Sequence, residues 1–348
     1  MKTYDVYYPS QIDVCAWQGE YNDNTKPDSW PYGLNRIADN GAIRFQNIDR
    51  QRSLATATTA LLRRSQEAIL NRTITNPVLP VTWDERTALD VFLASGRGPV
   101  ATGIIWATDQ LNKPASYLRL RLLRRVLKDA SALWCLSNAQ LSVVDKWLGV
   151  RSKNRRAQFL PFGIDAEFYS QKPAASERLI FSVGGDRDRD PATLFAALSA
   201  VIRARSDVRA IVQTTSSLTP PEGVTVVKRF SHTELREMYA RAAVVALATK
   251  PNLHVSGMTV SLEAAATGRP VVITKTPGMN DYVVDGKTGL LVPVGDSKAL
   301  TQRILQLLDD PEQSAEMGRC ARLHVERSHT SAIMAARIRE ILEASELH

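Results

Sequence analysis

The sequence predicts an α/β fold built from two doubly wound domains with parallel sheets, and three observations predict it. Short β-branched runs alternate with longer helical patterns along the chain, the layout of parallel sheets covered by helices. The alternation stops in a turn-rich stretch from Pro161 to Ser176 and then restarts. Finally, 348 residues exceed one compact domain and suit two of about 150–180 residues.

In the first half, strands are expected near Tyr4–Tyr8, Ala42–Phe45, Val78–Val81, Val100–Ile105, Leu133–Leu136 and Ala157–Leu160. Helical spacing covers Tyr32–Asn40, Leu54–Leu70, Arg86–Ala94, Tyr117–Lys128 and Gln140–Leu148. Gly41 stands where a left-handed helix cap belongs. The stretch from Gln11 to Trp30 reads as a long loop holding Trp17, Glu20, Tyr21 and Trp30, residue types that suit a ligand pocket or pack on their own domain. In the second half, strands fit Leu179–Val183, Ala210–Gln213, Val224–Val227, Val244–Ala248, Pro270–Ile273 and Leu290–Val292. Helices fit Pro191–Arg205, His232–Ala242, Thr259–Thr267, Ser297–Leu308, Pro311–Arg322 and Ser331–Leu347. The expected organisation is a first domain over 1–162, a linker over 163–178, a second domain over 179–330 and a C-terminal helix over 331–348 that packs back on the first domain.

Hydrophobic residues make up 44% and charged residues 23%, ordinary for a soluble chain. No apolar run approaches the roughly 20 residues of a membrane span. The start, Met1 to Val6, lacks the layout of a secretory signal, so a cytoplasmic protein is expected. Cys15, Cys135 and Cys320 are odd in number and far apart, which suits neither a disulfide framework nor a zinc site. No His, Asp and Glu cluster has metal-ligand spacing, so no metal is expected. The net charge of +8 is uneven: 22 Lys/Arg against 16 Asp/Glu up to Phe168, then 22 against 20. Excess positive charge draws anions, whether nucleic acid, anionic lipid or a sugar nucleotide.

The stretch Val255-Ser256-Gly257-Met258-Thr259-Val260-Ser261-Leu262-Glu263 is the most informative. A turn of small residues opens a helix, and free backbone N–H groups at such a start suit a diphosphate. Glu263 follows about one helical turn after Thr259 and either accepts both hydroxyls of a ribose or stands as a solvent-exposed helix glutamate. Upstream, Gly184-Gly185-Asp186-Arg187-Asp188-Arg189-Asp190 follows a strand. Arg187 and Arg189 read as a phosphate clamp or as partners of the neighbouring aspartates.

These segments come with three others: Leu235 to Ala242, Pro277-Gly278-Met279-Asn280-Asp281-Tyr282-Val283, and Asp285-Gly286-Lys287-Thr288-Gly289-Leu290-Leu291-Val292-Pro293. Together they resemble the donor-binding domain of the retaining GT-B glycosyltransferases of family 4, also called glycosyl transferases group 1. Leu160-Pro161-Phe162-Gly163-Ile164-Asp165 is similar to that family's hinge. The resemblance is specific from about Phe159 to Leu308; before that it is architectural.

The resemblance implies two Rossmann-like domains facing a central cleft, and a donor that is a nucleotide-diphosphate sugar, UDP- or GDP-linked, with no further cofactor. It implies that Gly184, Gly185, Ser256, Gly257, Met258 and Thr259 meet the sugar and its phosphates, that Glu263 meets the ribose, and that the base lies near Arg229, Phe230 and Ser231. Arg189 takes the place of the family's phosphate-gripping lysine. The family's first glutamate falls at Val255, or at His254 with a one-residue shift, so neither position holds a carboxylate. The resemblance also implies a front-face, retaining reaction in which the leaving diphosphate takes the acceptor's proton, Arg189 and Arg187 hold the developing charge, and no metal is needed. A catalytic histidine usually follows the fourth strand; here Thr108-Asp109 stands there, and no histidine precedes His232. Asp109 either orients a substrate or caps a turn. Trp83-Asp84-Glu85 ends a strand and either lines the cleft or, through Asp84, caps a helix.

In the helix at Tyr117–Lys128, Leu120, Leu123 and Leu127 share one face, while Arg119, Arg121, Arg124, Arg125 and Lys128 crowd the rest. It reads as a core helix with a solvated basic face or as a dock for an anionic membrane surface. Arg151, Lys153, Arg155 and Arg156 add a second basic stretch. The membrane reading makes the acceptor a lipid, lipid-linked glycan or polysaccharide, with the enzyme peripheral on the inner face of the cell membrane. A sugar-nucleotide epimerase and a catalytically silent nucleotide-sugar-binding protein are the alternatives. Specific nucleic-acid binding is not expected, because the cations are not interleaved with aromatics.

Overall fold

The computed structural model describes residues 3–38, 42–49, 78–95, 101–128, 130–149, 157–175 and 177–346. The chain forms two compact units. One holds Met1–Gly19, Ser29–Leu160 and Ala335–His348; the other holds Glu20–Asp28 and Pro161–Met334.

The first unit is built on a parallel sheet in the order β2-β1-β3-β4-β5-β6. Its strands are β1 (Thr3–Pro9), β2 (Ile43–Ile48), β3 (Val78–Thr82), β4 (Ala101–Gly103), β5 (Ala132–Cys135) and β6 (Gln158–Phe159). Tyr4 pairs with Ile43 on one side of β1, and Thr3 with Val78 on the other, so β1 is the centre from which the sheet is wound both ways. Four α-helices are described: α1 (Val14–Asn22), α2 (Glu85–Ser95), α3 (Tyr117–Leu127) and α4 (Asn138–Leu148). Phe92, Leu123, Leu127 and Val144 from α2, α3 and α4 pack with Leu133 and Cys135 of β5 in one core. Gly149 ends α4 at φ +70°, the left-handed cap that a side chain disfavours.

Two local expectations change. The Gln11–Trp30 stretch contains α1, which buries only Val14 and so lacks an apolar stripe. The helix expected at Tyr32–Asn40 is instead a 3₁₀ segment, Pro31–Ile37, with Tyr32 and Gly33 at φ +62° and +64°. The buried pair Leu34 and Ile37 is spaced by three, which a 3₁₀ turn satisfies as well as an α-helix. The helix expected at 54–70, Gly41 and the basic stretch 151–156 lie outside the described residues.

The second unit repeats the plan in the order β12-β11-β10-β7-β8-β9. Its strands are β7 (Leu179–Ser182), β8 (Arg209–Gln213), β9 (Val224–Val227), β10 (Ala242–Leu247), β11 (Val271–Thr274) and β12 (Leu290–Val292). Its helices are α5 (Pro191–Ala204), α6 (His232–Arg241), α7 (Met258–Ala266), α8 (Ser297–Asp309) and α9 (Pro311–Ser328). The final helix, α10 (Ser331–Glu346), passes into the first unit at Ala335.

Strands β7, β10 and β11 are buried at nearly every position, as expected where helices cover both faces. The helix starts are marked in the sequence. Asp190 accepts the Thr193 N–H before α5, and Pro191 occupies the first turn. Ser231 and Glu234 form a reciprocal capping box on α6. The chain winds from β7 outward to β9, then returns beside β7 at β10. The carboxyl ends of β7 and β10 therefore form the switch point where open α/β sheets bind ligands.

Candidate functional site

Two glycines make a slot at that switch point. Gly184, just after β7, has φ +139°, and Gly257, just before α7, has φ +96°. Both also lack room for a side chain. A Cβ on Gly184 would collide with the Arg189 guanidinium. One on Gly257 would lie 2.7 Å from Ile273 Cδ1 and 3.0 Å from Arg189 Nη1. The backbone of Arg189 is fixed by an antiparallel bridge to Thr249, which follows β10.

The Arg189 head is thus enclosed, with a side chain only 13% exposed. Its Nε lies 2.9 Å from Asp186 Oδ2. That N–H is not directed at the oxygen, so the contact is an ion pair without a hydrogen bond. Nε and Nη1 find no hydrogen-bond acceptor among the described residues. A buried guanidinium with unmatched donors carries a desolvation penalty that an anion relieves. No side chain caps α7 at Gly257, so the positive end of a helix dipole opens at the same slot.

The residues leading into this turn are tightly held. Ser256 is buried, donates its N–H to Asn252 Oδ1 at 2.9 Å, and donates its hydroxyl to Asp186 at 3.0 Å. Val255 is wholly buried at φ +56°, a conformation that a β-branched residue adopts only under strain. His254 is also buried. An aliphatic side chain and an imidazole thus occupy the two buried positions that lead into Ser256.

The two loop arginines separate. Arg189 fills the glycine slot, whereas Arg187 is 41% exposed and pairs with Asp188 at 3.1 Å. Folding also gathers Asp186, Asp188 and His254 so that their ligand atoms lie within 4.8 Å of one another. Sequence spacing misses this group because the histidine arrives from another loop. Both carboxylates are matched by cations, Asp186 by Arg189 and Asp188 by Arg187.

Glu263 points inward from the middle of α7 and is 7% exposed. Tyr239 donates its hydroxyl to Oε2 at 2.7 Å, and the Tyr169 ring stands edge-on to that of Tyr239 at 6.0 Å. Burial raises its pKa to about 7, against the lowering effect of both tyrosines and of the Arg189 charge. The solvent-exposed reading of this glutamate is therefore set aside. Phe181 of β7 meets Tyr239 and Phe230 edge-on at 5.3 and 5.8 Å, and the Phe230 N–H donates to Gln213 Oε1 at 3.2 Å. Arg229 and Gly185 are exposed, Thr259 is half-buried, and Met258 is buried in the first turn of α7.

In the first unit Asp109 sits half-buried in a 3₁₀ turn, Thr108–Gln110, after β4. Asp84 takes the capping role, accepting the Thr87 N–H at 2.8 Å. The buried acid of this stretch is its neighbour. Glu85 is 2% exposed and accepts the N–H groups of Ile105 at 2.8 Å and Trp106 at 2.9 Å. Burial, then the charge of Asp84, raises its pKa to about 7. Trp83 beside it stacks on Tyr32 at 4.6 Å. On α3, Leu120, Leu123, Val126 and Leu127 are buried. Arg119, Arg121, Arg124, Arg125 and Lys128 are exposed and make no ion pair among the described residues.

Residues 208–324 match the family model described as glycosyl transferases group 1. The second unit contains a glycosyl transferases group 1 domain. Among curated relatives, the GDP-mannose-dependent monoacylated alpha-(1-6)-phosphatidylinositol monomannoside mannosyltransferase of Corynebacterium glutamicum is 30% identical over 49% of this chain and 46% of its own. The D-inositol 3-phosphate glycosyltransferase of Corynebacterium urealyticum is 42% identical over 27% of this chain and 22% of its own. The chain thus spans less than half the length of these two relatives. Anabaena Alr3699/HepE, solved with UDP and glucose, aligns with a TM-score of 0.69 at 15% identity, covering 99% of this chain and all of that one. Sucrose-phosphate synthase from Thermosynechococcus elongatus aligns at 0.68 with 16% identity, covering 99% and 98%. The fold around the group 1 domain is GT-B: two parallel six-stranded sheets with helices.

Proposed function

We propose that this chain transfers a sugar from a nucleotide-diphosphate donor, UDP- or GDP-linked, with the diphosphate against Gly184, Arg189 and the start of α7. The observation that carries the reading is the enclosed Arg189 head, whose Nε and Nη1 lack acceptors among the described residues beside an uncapped helix start. The group 1 domain supports it, as do a relative named for GDP-mannose and a neighbour solved with UDP.

In the proposed reaction the bond between the anomeric carbon and the phosphate oxygen breaks, and the acceptor oxygen bonds to that carbon from the same face. The acceptor's proton passes to the departing diphosphate, and configuration is retained. Arg189 and the amides of Gly257, Met258 and Thr259 take up the charge that grows on the phosphate. Glu263 receives the ribose hydroxyls, and Arg229 with Phe230 faces the base. Arg187 screens the loop from its surface position, and Asp109 orients the acceptor from the first unit.

The acceptor is a lipid, lipid-linked glycan or polysaccharide at an anionic membrane surface, with the protein peripheral on the cytoplasmic face. The α3 cations, which make no ion pair among the described residues, support this, as do Tyr117 and Leu118, which are 63% and 78% exposed at its start. Among the described residues no helix is long and apolar enough to cross a membrane.

The test incubates the protein with UDP-glucose or GDP-mannose and vesicles containing phosphatidylinositol. Expected are vesicle-dependent release of UDP or GDP and an α-linked glycolipid by NMR. Sugar conversion without any acceptor would favour an epimerase, and nucleotide binding without turnover a silent binding protein.

A further inference from the structure

A cavity opens at the other end of the second unit's sheet. The glycine slot lies beyond the carboxyl ends of β7 and β10, whereas this cavity lies at amino ends, beside Arg178 before β7, Ala243 in β10 and Pro270 before β11. It measures about 430 Å³, the size of a small-molecule site. Pro270, Leu307, Leu308 and Ala315 give it apolar walls.

Arg269 sets its chemistry. The residue is 3% exposed, yet no carboxylate lies within ion-pair distance of it among the described residues. Its Nε donates to Tyr239 O at 2.9 Å, and Nη2 donates to Ala240 O at 2.8 Å and to Pro173 O. The first two carbonyls end α6, and Pro173 belongs to the cavity wall, so the guanidinium is fixed at that wall. Nη1 makes no hydrogen bond among the described residues and is not sealed from solvent. Burial lowers the arginine's pKa, and no acidic neighbour opposes the shift.

Lys172 is a second cation of this kind. It is half-buried in the wall and makes no ion pair among the described residues, while its N–H donates to Thr267 O at 3.2 Å and pins its backbone. The other charges of the wall are matched: Arg178 by Asp207 at 3.3 Å, Arg319 by Glu316, and Glu177 by Arg241 at 3.0 Å. A bare inorganic ion would satisfy the two unmatched cations and leave the apolar walls wet. A hydrocarbon would cover the walls and leave the cations without acceptors.

From this geometry we infer that the cavity is a second ligand site, separate from the glycine slot, for a small amphiphilic organic anion: its acidic head meets Arg269 Nη1 and Lys172 Nζ, and its apolar body lies against Pro270, Leu307 and Leu308. The inference does not rest on the donor-site reading.

The test is calorimetric titration of the full chain with octanoate, and with octanol and acetate, which carry the body or the head alone. One octanoate per chain is expected to bind at least about tenfold tighter than either control. Arg269 is left intact, because its loss would strand the carbonyls that end α6. Lys172→Gln is expected to weaken octanoate about fivefold or more and to leave octanol unchanged. Ala315→Trp, at an exposed position of the wall, is expected to fill the space and abolish binding. Saturating UDP or GDP, and the variant Arg189→Ala, should leave octanoate affinity as it is. No octanoate binding, or octanol binding as tightly, would overturn the inference. So would wild-type affinity in either Lys172→Gln or Ala315→Trp. Loss of octanoate binding in Arg189→Ala, or on adding nucleotide, would overturn it by moving the anion to the glycine slot.

Discussion

Arg189 lies so close to Gly257 that a methyl group on that glycine would sit 3.0 Å from Nη1. The arginine and the glycine define one slot, and neither can change without moving the other. At φ +96° an alanine is strained as well as crowded, by about 1–2 kcal/mol. Gly257→Ala is therefore expected to lower the melting temperature by a few degrees and to weaken UDP or GDP binding about tenfold. Calorimetry and a thermal melt measure the two effects separately.

The two arginines of the Gly184–Asp190 loop should behave differently. Arg189→Ala is expected to reduce turnover at least about tenfold, roughly 1.4 kcal/mol of transition-state stabilisation. Arg187→Ala removes a half-exposed pair with Asp188, and turnover is expected to change by less than about twofold. Steady-state rates on the same donor decide it. Equal losses would mean that both arginines meet the diphosphate.

Donor affinity should depend on pH. The Glu263 pKa is raised to about 7, so its carboxylate gains charge as pH rises from 6 to 8. An ionised carboxylate accepts ribose hydroxyls best, and the dissociation constant for UDP or GDP should fall across that window. The sign for stability is opposite. A raised carboxylate pKa means that ionisation is disfavoured in the folded state, so this group's contribution falls as pH climbs from its ordinary value of 4.5 towards 7. Melting and titration at matched pH values check both signs.

Glu85 should matter for the first unit without touching the donor. Glu85→Ala strands the N–H groups of Ile105 and Trp106, a loss of about 2 kcal/mol or more. Its melting transition should fall while nucleotide affinity holds.

Replacing Arg119, Arg121, Arg124 and Arg125 with Gln should release the protein from phosphatidylglycerol vesicles in a sedimentation assay. These side chains are exposed on α3, whose buried face stays intact, so the melting temperature should hold. Unchanged sedimentation would end the membrane reading.

Much of the fold was legible because β-branched strands and capped helices announce themselves locally. The capping box at Ser231 and the proline after Asp190 are readable in a few residues. Helix α1 was not, since a helix that buries only Val14 has no stripe to read. Glu263 was legible as a position, but not its surroundings. Its partner Tyr239 lies 24 residues away, and only the packing of α6 beside α7 brings its hydroxyl to the carboxylate. The same holds for Ser256 and Asp186, separated by 70 residues and joined at 3.0 Å. Arg187 and Arg189 look alike in sequence; the difference between them is the positive φ of two glycines, which spacing does not reveal.

The most direct test of the central claim is a crystal structure with UDP or GDP bound. The account predicts the diphosphate against Arg189, Gly184 and the first amides of α7, with Glu263 on the ribose hydroxyls. A nucleotide seated elsewhere, with Arg189 still turned to Asp186 and Glu263 facing only Tyr239, would contradict it.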